Sequence, residues 1–279
     1  MALQELSIYT MVLTLESSIE NHADIEQHFL EMGIEDYSLY KVPGCNHKKN
    51  NTGGVDENTS LFDIFAHSMV DDTSHDIYKN HMSMIRKAYH RGLERVLFME
   101  EDARFEKHSS RDQIVKIKSW LDENPEAWDI FYLGSCPWPV IVSFPVAVNI
   151  VSIPSPYLCH SYILNRRGMK KILDRDLLDS IINLPIIHVD KLFASMTNLE
   201  KKGTYPSICF QQKSPALFEE AKKKMYLPME FNQVNKIIET IAILWPLCIL
   251  FLLSSTLTSY YLKIKMKSIQ SPSNFLRIK

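Results

Sequence analysis

Short apolar runs alternate along this chain with stretches whose apolar residues recur every three or four positions. The runs at residues 7–15, 37–42 and 95–99 are typical of buried strands, and the segments 18–32 and 74–91 have the periodicity of amphipathic helices. Strands that alternate with helices build βαβ units, in which helices cover the faces of a sheet. The sequence therefore predicts an α/β domain.

The middle of the chain continues this pattern. Residues 113–121 place apolar side chains on one helical face, and residues 128–133 form another strand-like run, which we expect Gly134 to end. The apolar stretch 140–153 is interrupted and flanked by prolines, which lack the N–H that an inner strand donates. We therefore expect this stretch at the edge of the sheet, followed by a further strand and a helix at 167–173.

The composition and the charge exclude several classes of protein. With 46% hydrophobic and 23% charged residues and a formal net charge of −2, the chain is typical of a globular protein and has no basic stripe for nucleic acid. The five cysteines are scattered without a C-x-x-C pair, and the ten histidines include no H-x-H or H-E-x-x-H pair. A zinc site, a dense disulfide framework and nucleic-acid binding are therefore not expected.

A long uncharged segment lies near the C-terminus. Residues 240–262 contain no charged side chain, and as a helix these 23 residues would reach about 34 Å, against a hydrocarbon core of about 30 Å. Trp245 and Tyr260 lie toward opposite ends, where aromatic residues meet the membrane interface. We expect one membrane-spanning helix here, and the alternative is a buried core helix. The expected divisions are a catalytic domain at 1–228, a linker at 229–239, the spanning helix at 240–262 and a basic tail at 263–279.

Two rules disagree about the orientation in the membrane. The N-terminus has no basic region ahead of its apolar run, which is typical of a strand and not of a signal peptide. The apolar segment would then insert last, and this favours a cytosol-facing domain. The basic residues after Leu262 favour the reverse, which would make the sequons at Asn50 and Asn58 available for glycosylation. We expect the cytosol-facing orientation, with the membrane as a partner.

Three adjacent acids, Glu100, Glu101 and Asp102, directly follow the strand predicted at 95–99. Ligands of open α/β sheets bind outside the carboxyl ends of the strands, where these acids would stand. Adjacent carboxylates repel one another unless a cation neutralises them, and Mg²⁺ or Mn²⁺ binds carboxylate oxygens while bridging to phosphates. The cluster suits a metal–diphosphate site, and the plain alternative is a solvated loop.

The acids belong to an ordered series of motifs: V-L-F-M-E-E-D-A-R-F, W-D-I-F-Y-L-G, C-H-S-Y-I-L-N-R-R-G and I-H-V-D-K-L-F. The series resembles glycosyltransferase family 25, which includes lipopolysaccharide glycosyltransferases and procollagen galactosyltransferases. His81, in the helix predicted at 74–91, falls where the family has a helical histidine. The resemblance covers about residues 7–214, and the middle third carries most of it.

The resemblance implies a GT-A fold and a nucleotide-sugar donor, commonly a UDP-sugar bound with Mn²⁺ or Mg²⁺. It implies that Glu100, Glu101 and Asp102 bind the donor, with Glu101 and Asp102 as ligands of the metal. Asp190 would lie near the acceptor as the general base. The other residues that it places around the pocket are Tyr132, Gly134, His160 and Gln212. The implied function is transfer of a hexose to a hydroxyl of a glycan, a lipid or a protein.

Several of these residues also have a structural interpretation. His81 and His160 would be hydrogen-bonded core histidines, and Tyr132 would be a core residue of its strand. Asp190 would cap the helix that follows it.

The chain also departs from the family in three places. Glu101 stands where the family has Asp, no arginine follows the first strand, and the family's glycine-and-cysteine segment ahead of the helical histidine is missing. The first two departures favour a second function, a catalytically inactive, glycosyltransferase-like module tethered to the membrane. A more distant alternative is a metal-dependent phosphoesterase, but its histidine ligands are not found at recognisable spacing in the sequence.

Overall fold

The computed structural model describes residues 8–43, 72–106, 111–136, 143–181, 188–212 and 231–270. The sequons at Asn50 and Asn58 lie outside these ranges, as does the part of the predicted basic tail beyond residue 270.

The first half of the chain folds as the sequence predicts. Its elements are β1 (Tyr9–Leu15), α1 (Ile19–Met32), β2 (Tyr37–Val42), α2 (Asp72–His90) and β3 (Arg95–Glu100). The alternation of strands and helices is confirmed, because each of these elements has its own strong local periodicity.

The second half contains shorter elements. In order they are β4 (Ala103–Phe105), α3 (Arg111–Glu123), β5 (Ile130–Cys136), β6 (Phe144–Ala147), β7 (Ile150–Ser152), β8 (Tyr157–Asn165), α4 (Arg166–Ile181), α5 (Val189–Ser195), β9 (Lys201–Thr204), β10 (Cys209–Gln211) and α6 (Phe231–Gln270). Gly134 lies inside β5 and does not end it, so that prediction is wrong. A glycine is needed there for close packing, since a Cβ would collide with the backbone of β10.

The described strands form one large mixed sheet and one small sheet. The large sheet has eight strands in the order β2-β1-β3-β8-β5-β9-β7-β6, and β4 pairs with β10 in the small one. β1 is parallel to β2 and β3, and β5 is parallel to β9, whereas β8 is antiparallel to both of its neighbours, β3 and β5. The predicted edge position of residues 140–153 is confirmed, because β7 and β6 end the sheet on that side.

Side chains alternate along each strand, so the large sheet has two faces. Both faces are apolar, and helices cover both of them. On β3, Val96 and Phe98 join a core that includes residues of α2 and α4, whereas Leu97 and Met99 join a core that includes residues of α1 and α3. We name these the α2–α4 core and the α1–α3 core. Tyr162 of β8 is fully buried in the α2–α4 core.

One edge of the sheet collects the carboxyl ends of β1, β3 and β5, because these strands run in the same direction. β8 runs the other way, so its first residues lie at this edge too. The small sheet joins it, since Ile208 N donates a hydrogen bond to Leu133 O and Glu106 N donates one to Ile208 O, each at 2.9 Å. We name this place the carboxyl edge. It is where ligands of open α/β sheets bind.

The first turns of α6 pack against the domain. Ser143 N donates to Ala242 O at 2.9 Å, and Asn235 Nδ2 donates to Ser135 O at 3.2 Å. Ala242 and Ile243 are buried in this contact. The start of α6 is therefore part of the folded domain.

Among the helices that the structure describes, none combines the length and the apolar character needed to cross a bilayer. The predicted spanning helix at 240–262, and with it the membrane localisation and orientation, is therefore wrong. Part of the reason is that Ala242 and Ile243 count toward the apolar run in the sequence but pack against protein in the structure. α6 also runs through most of the predicted linker at 229–239 without a break.

Glu239 is a buried acid in the contact between α6 and the domain. Ser207 Oγ donates to Glu239 Oε1 at 2.5 Å, and Asn235 Nδ2 donates to the same oxygen at 3.3 Å. Burial raises the pKa of Glu239 to about 7, and the negative charge of Glu106 raises it further. The hydrogen bonds from the side chain and backbone of Ser207 and the positive charge of Lys236 act in the opposite direction. The folded chain therefore binds this proton more tightly than the unfolded chain does.

We predict that this proton makes the stability fall as the pH rises. The contribution of the Glu239 proton to the free energy of unfolding is complete below the ordinary pKa of 4.5, and it is lost as the pH rises through about 7. This pH-dependent part of the free energy of unfolding amounts to roughly 3 kcal/mol. Because glutamine stays neutral, Glu239→Gln should reduce the change of the melting temperature with pH by about 5 °C or more. Glu20→Gln, on the exposed surface of α1, is the control. A Glu239→Gln variant that follows the wild-type curve would contradict this assignment.

Candidate functional site

Glu100 ends β3 at the carboxyl edge and contacts a buried histidine. His81 of α2 is fully buried, and its Nε2 lies 3.3 Å from Glu100 Oε1. The other ring nitrogen, Nδ1, lies 2.8 Å from the hydroxyl of Tyr162. The side chain of Glu100 is 26% exposed, so it borders solvent at the carboxyl edge.

Burial decides where the protons of these three residues lie. It raises the pKa of Tyr162 well above its ordinary value, so the hydroxyl keeps its proton and donates to His81 Nδ1. Nε2 of His81 then carries the ring hydrogen and donates it to Glu100. Burial opposes ionisation of Glu100, but the hydrogen bond from His81 acts against it, and the pKa of the carboxyl is lowered. Glu100 is therefore an ionised carboxylate in a fixed orientation.

Glu101 turns toward the end of β1. Its Oε2 accepts hydrogen bonds from Thr14 Oγ1 at 2.7 Å and from Leu15 N at 3.2 Å, and its Oε1 accepts one from Asn21 Nδ2 at 3.0 Å. These bonds tie the end of β1 and the start of α1 to the end of β3. Because both oxygens of Glu101 are engaged by protein donors, this acid has a structural task beside any contact with a metal.

β10 approaches the acids from the other side. Gln212 donates its backbone N–H to Asp102 O at 2.7 Å, and its side chain is exposed. The side chain that reaches the acids belongs to Gln211, whose Nε2 donates to Glu100 Oε2 at 3.4 Å. Successive side chains of a strand point to opposite faces. Gln211 therefore contacts the acids through its side chain, whereas Gln212 contacts them through its backbone.

The metal role suggested for Glu101 and Asp102 would need a bound diphosphate. In the part of the chain that the structure describes, no three His, Cys, Asp or Glu side chains come together as a metal site. A Mg²⁺ or Mn²⁺ ion that arrives with a diphosphate needs only one or two protein carboxylates, because phosphates and water complete its shell. Asp102 lies in the turn after β3, next to Glu101, whose oxygens accept three hydrogen bonds from protein groups.

Asp190 binds the first residues of β8. Leu158 N donates to Asp190 Oδ2 and Cys159 N donates to Oδ1, each at 3.0 Å, and Asp190 is 6% exposed. Asp190 does not cap a helix, because α5 begins at Val189 and the capping side chain is that of His188, which accepts from Asp190 N at 3.3 Å. The cap interpretation is therefore wrong, since the carboxylate is directed at β8.

His160 and Gly134 meet near the carboxyl edge. His160 Nε2 lies 3.4 Å from Cys209 O, and the backbone of Leu158 also interacts with the ring. Burial lowers the pKa of His160 although Glu100 acts against it, so the ring is neutral. A Cβ at Gly134 would lie 2.1 Å from Cys209 O and 2.5 Å from His160 Nε2. Tyr132 is buried in the α2–α4 core, as its structural interpretation predicts.

Contributors to this site differ in how far the sequence indicates them. Tyr162 follows His160 by two positions in the C-H-S-Y motif, and the period of a strand indicates that both point to the same face. Thr14 and Asn21 carry no such signal, because their contact with Glu101 depends on the pairing of β1 with β3.

Comparisons with known proteins agree with the motifs. No family model matches the chain. Procollagen galactosyltransferase 2 from Mus musculus is 26% identical over 102 residues, and the Homo sapiens protein of that name is 25% identical over 99 residues. The chain resembles glycosyltransferase family 25. The matches cover 36% and 34% of this chain but only 16% of each relative.

Solved structures resemble the fold loosely. Apo UDP-glucose pyrophosphorylase has a TM-score of 0.40 at 10% identity, over 81% of this chain and 84% of its own. A glycosyltransferase involved in the glycosylation of the major capsid of PBCV-1 has a TM-score of 0.36 at 10% identity, over 78% of this chain and 100% of its own. Likenesses of this size carry no argument about activity.

We predict that Gly134→Ala disturbs the site more than the same change on the next strand. The added methyl would have to displace the backbone of β10, which yields less than a side chain, and we expect a loss of roughly 2–3 kcal/mol in the free energy of unfolding. Gly203→Ala on β9 is the matched control, because the nearest atom there is the flexible Cδ1 of Ile153 at 2.6 Å. Denaturant unfolding measures both, and equal losses would refute the close packing at Gly134.

Proposed function

We propose that this chain is a glycosyltransferase with a GT-A-type domain. It would transfer a hexose from a nucleotide-sugar, with a UDP-sugar as the first candidate, to a hydroxyl of a glycan, a lipid or a protein. The observation that carries the proposal is the ionised and oriented carboxylate of Glu100, two residues before Asp102 at the carboxyl edge. The similarity to procollagen galactosyltransferase 2 supports the class of reaction.

Sugar transfer requires groups of the kind found at this edge. The acceptor oxygen forms a bond to C1 of the sugar while the bond from C1 to the diphosphate breaks, and the diphosphate departs with that electron pair. The hydroxyl proton passes to a base, for which the resemblance suggests Asp190. Glu100 would accept hydrogen bonds from hydroxyls of the donor. Asp102 would hold Mn²⁺ or Mg²⁺, which offsets the charge of the departing diphosphate when it is bound.

One observation favours a second function, the binding of a nucleotide-sugar without transfer. Glu101 replaces the aspartate of the family, and its oxygens bind β1 and α1. A site with one acid fewer for the metal would stabilise the departing diphosphate less well. Mn²⁺-dependent retention of UDP without turnover of any UDP-sugar would identify this function.

The proposed function is tested by a screen of the full chain against UDP-, GDP- and CMP-sugars. Hydrolysis of the donor, or transfer to an added acceptor, is read with and without Mn²⁺. Mn²⁺-dependent release of a nucleoside diphosphate supports the proposal. Absence of both binding and turnover with every donor would overturn it.

We predict that Asp102→Asn weakens the Mn²⁺-dependent binding of UDP by roughly 10- to 100-fold or more and leaves the fold intact. Binding should weaken because the site for Mn²⁺ loses the charge of one carboxylate. The fold should stay intact because removing a charge reduces the repulsion among the adjacent acids. Asp36→Asn, which removes an exposed acid before β2 at the opposite edge, is the control. Calorimetric titration with UDP measures both, and an unchanged affinity in Asp102→Asn would remove Asp102 from the metal site.

A further inference from the structure

Leu158, at the start of β8, has a left-handed backbone conformation. Its φ is 66°, a region that residues with a Cβ rarely adopt and that bulky residues adopt least. The other non-glycine residue with a positive φ in the described ranges is Asn149, in the turn between β6 and β7, and asparagine tolerates this conformation. Leu158 is therefore strained, and such strain persists only where neighbouring groups impose it.

Asp190 imposes this conformation. Its two oxygens accept the successive N–H groups of Leu158 and Cys159, each at 3.0 Å. Hydrogen bonds to an ionised acceptor are about twice as strong as neutral ones. Because Asp190 is only 6% exposed, water competes little for its oxygens.

The restrained turn leads directly to His160. The ring of His160 is 2% exposed, and it fits between β5 and β10 only because Gly134 has no Cβ. Its Nε2 lies 3.4 Å from Cys209 O, and the backbone of Leu158 also interacts with the ring. The conformation of Leu158 therefore bears directly on the place of His160, which stands beside Glu100 at the carboxyl edge.

We propose that Asp190 is a positioning residue, which holds Leu158 and Cys159 in the left-handed turn that places His160 beside Glu100 at the carboxyl edge. This role rests on the proposed function and replaces the general-base role that the resemblance suggests for Asp190. A base needs an oxygen directed at the acceptor hydroxyl, whereas both oxygens of Asp190 are directed at β8.

The two roles are separated by a rescue experiment at Leu158. Asp190→Asn loses one of the two hydrogen bonds, because an amide NH₂ cannot accept, and we expect turnover to fall about 10²-fold as the site shifts. Glycine adopts the left-handed conformation without strain. Leu158→Gly in the Asp190→Asn background should therefore recover about tenfold or more of the lost turnover. A chemical base cannot be replaced by a backbone change, so a double variant as inactive as Asp190→Asn would overturn the proposal.

Two further variants make this rescue specific. Asn149→Gly in the Asp190→Asn background is the matched control, since Asn149 is also left-handed but has no contact with Asp190 in the described structure, and it should recover nothing. Leu158→Asn in the same background is a second rescue variant. Asparagine tolerates the left-handed conformation and, unlike glycine, keeps a side chain in β8. The fall in turnover at low pH should be the same in the rescued variant and in the wild type, because Asp190 is not the base in this proposal. Failure of both Leu158 variants, or loss of that fall at low pH, rejects the positioning role.

A failure of the proposed function would be recognised separately. If the wild-type chain transfers no sugar from any donor, the proposed function is wrong. The role of Asp190 is then tested by the free energy of unfolding and by the affinity for UDP. Asp190→Asn should destabilise the chain less when Leu158 is glycine, so the two substitutions should be non-additive. Additive effects on unfolding would overturn the claim that Asp190 holds the turn.

Discussion

β8 runs antiparallel between β3 and β5, and its pairing on both sides determines what stands at the carboxyl edge. Tyr162, in the middle of β8, lies opposite Phe98 on β3 and opposite Tyr132 on β5. These aromatic rings pack with centroids 5.4 and 6.3 Å from that of Tyr162. Since β8 enters at the edge where β3 and β5 end, its first residues are brought next to Glu100. A parallel strand in this place would have put the opposite end of β8 there.

Carboxylates at this edge are matched by donors that are distant in the sequence. Glu100 is bound by His81, Glu101 by groups of β1 and α1, and Asp190 by the backbone of β8. A buried or half-buried charge without such partners would cost several kcal/mol. The site is therefore assembled by the completed sheet, and no single segment of the chain contains it.

The regular part of the fold could be predicted from the sequence because its signals are local. β1, β2, β3 and the two helices between them each have a clear period, and the acids at the end of β3 follow from that strand. Gln211 was missed because its role depends on which face of β10 it occupies. The predicted membrane-spanning segment was wrong in part because the sequence does not show that Ala242 and Ile243 pack against the domain. The strain at Leu158 has no sequence signal, since leucine is not a residue that favours a left-handed turn.

The two cores on opposite faces of the sheet have different tasks. His81 and Tyr162, which orient Glu100, lie on the side of α2 and α4. The α1–α3 core supports the other face of β3, and it reaches the site through Cys209, whose carbonyl oxygen lies 3.4 Å from His160 Nε2. Apolar side chains elsewhere in the α1–α3 core could therefore be exchanged with little effect on the orientation of Glu100. Glu101 links the two sides of the sheet, because it joins the end of β3 to Asn21 of α1. A change in the length of the side chain at position 101 would therefore move the adjacent acids relative to α1.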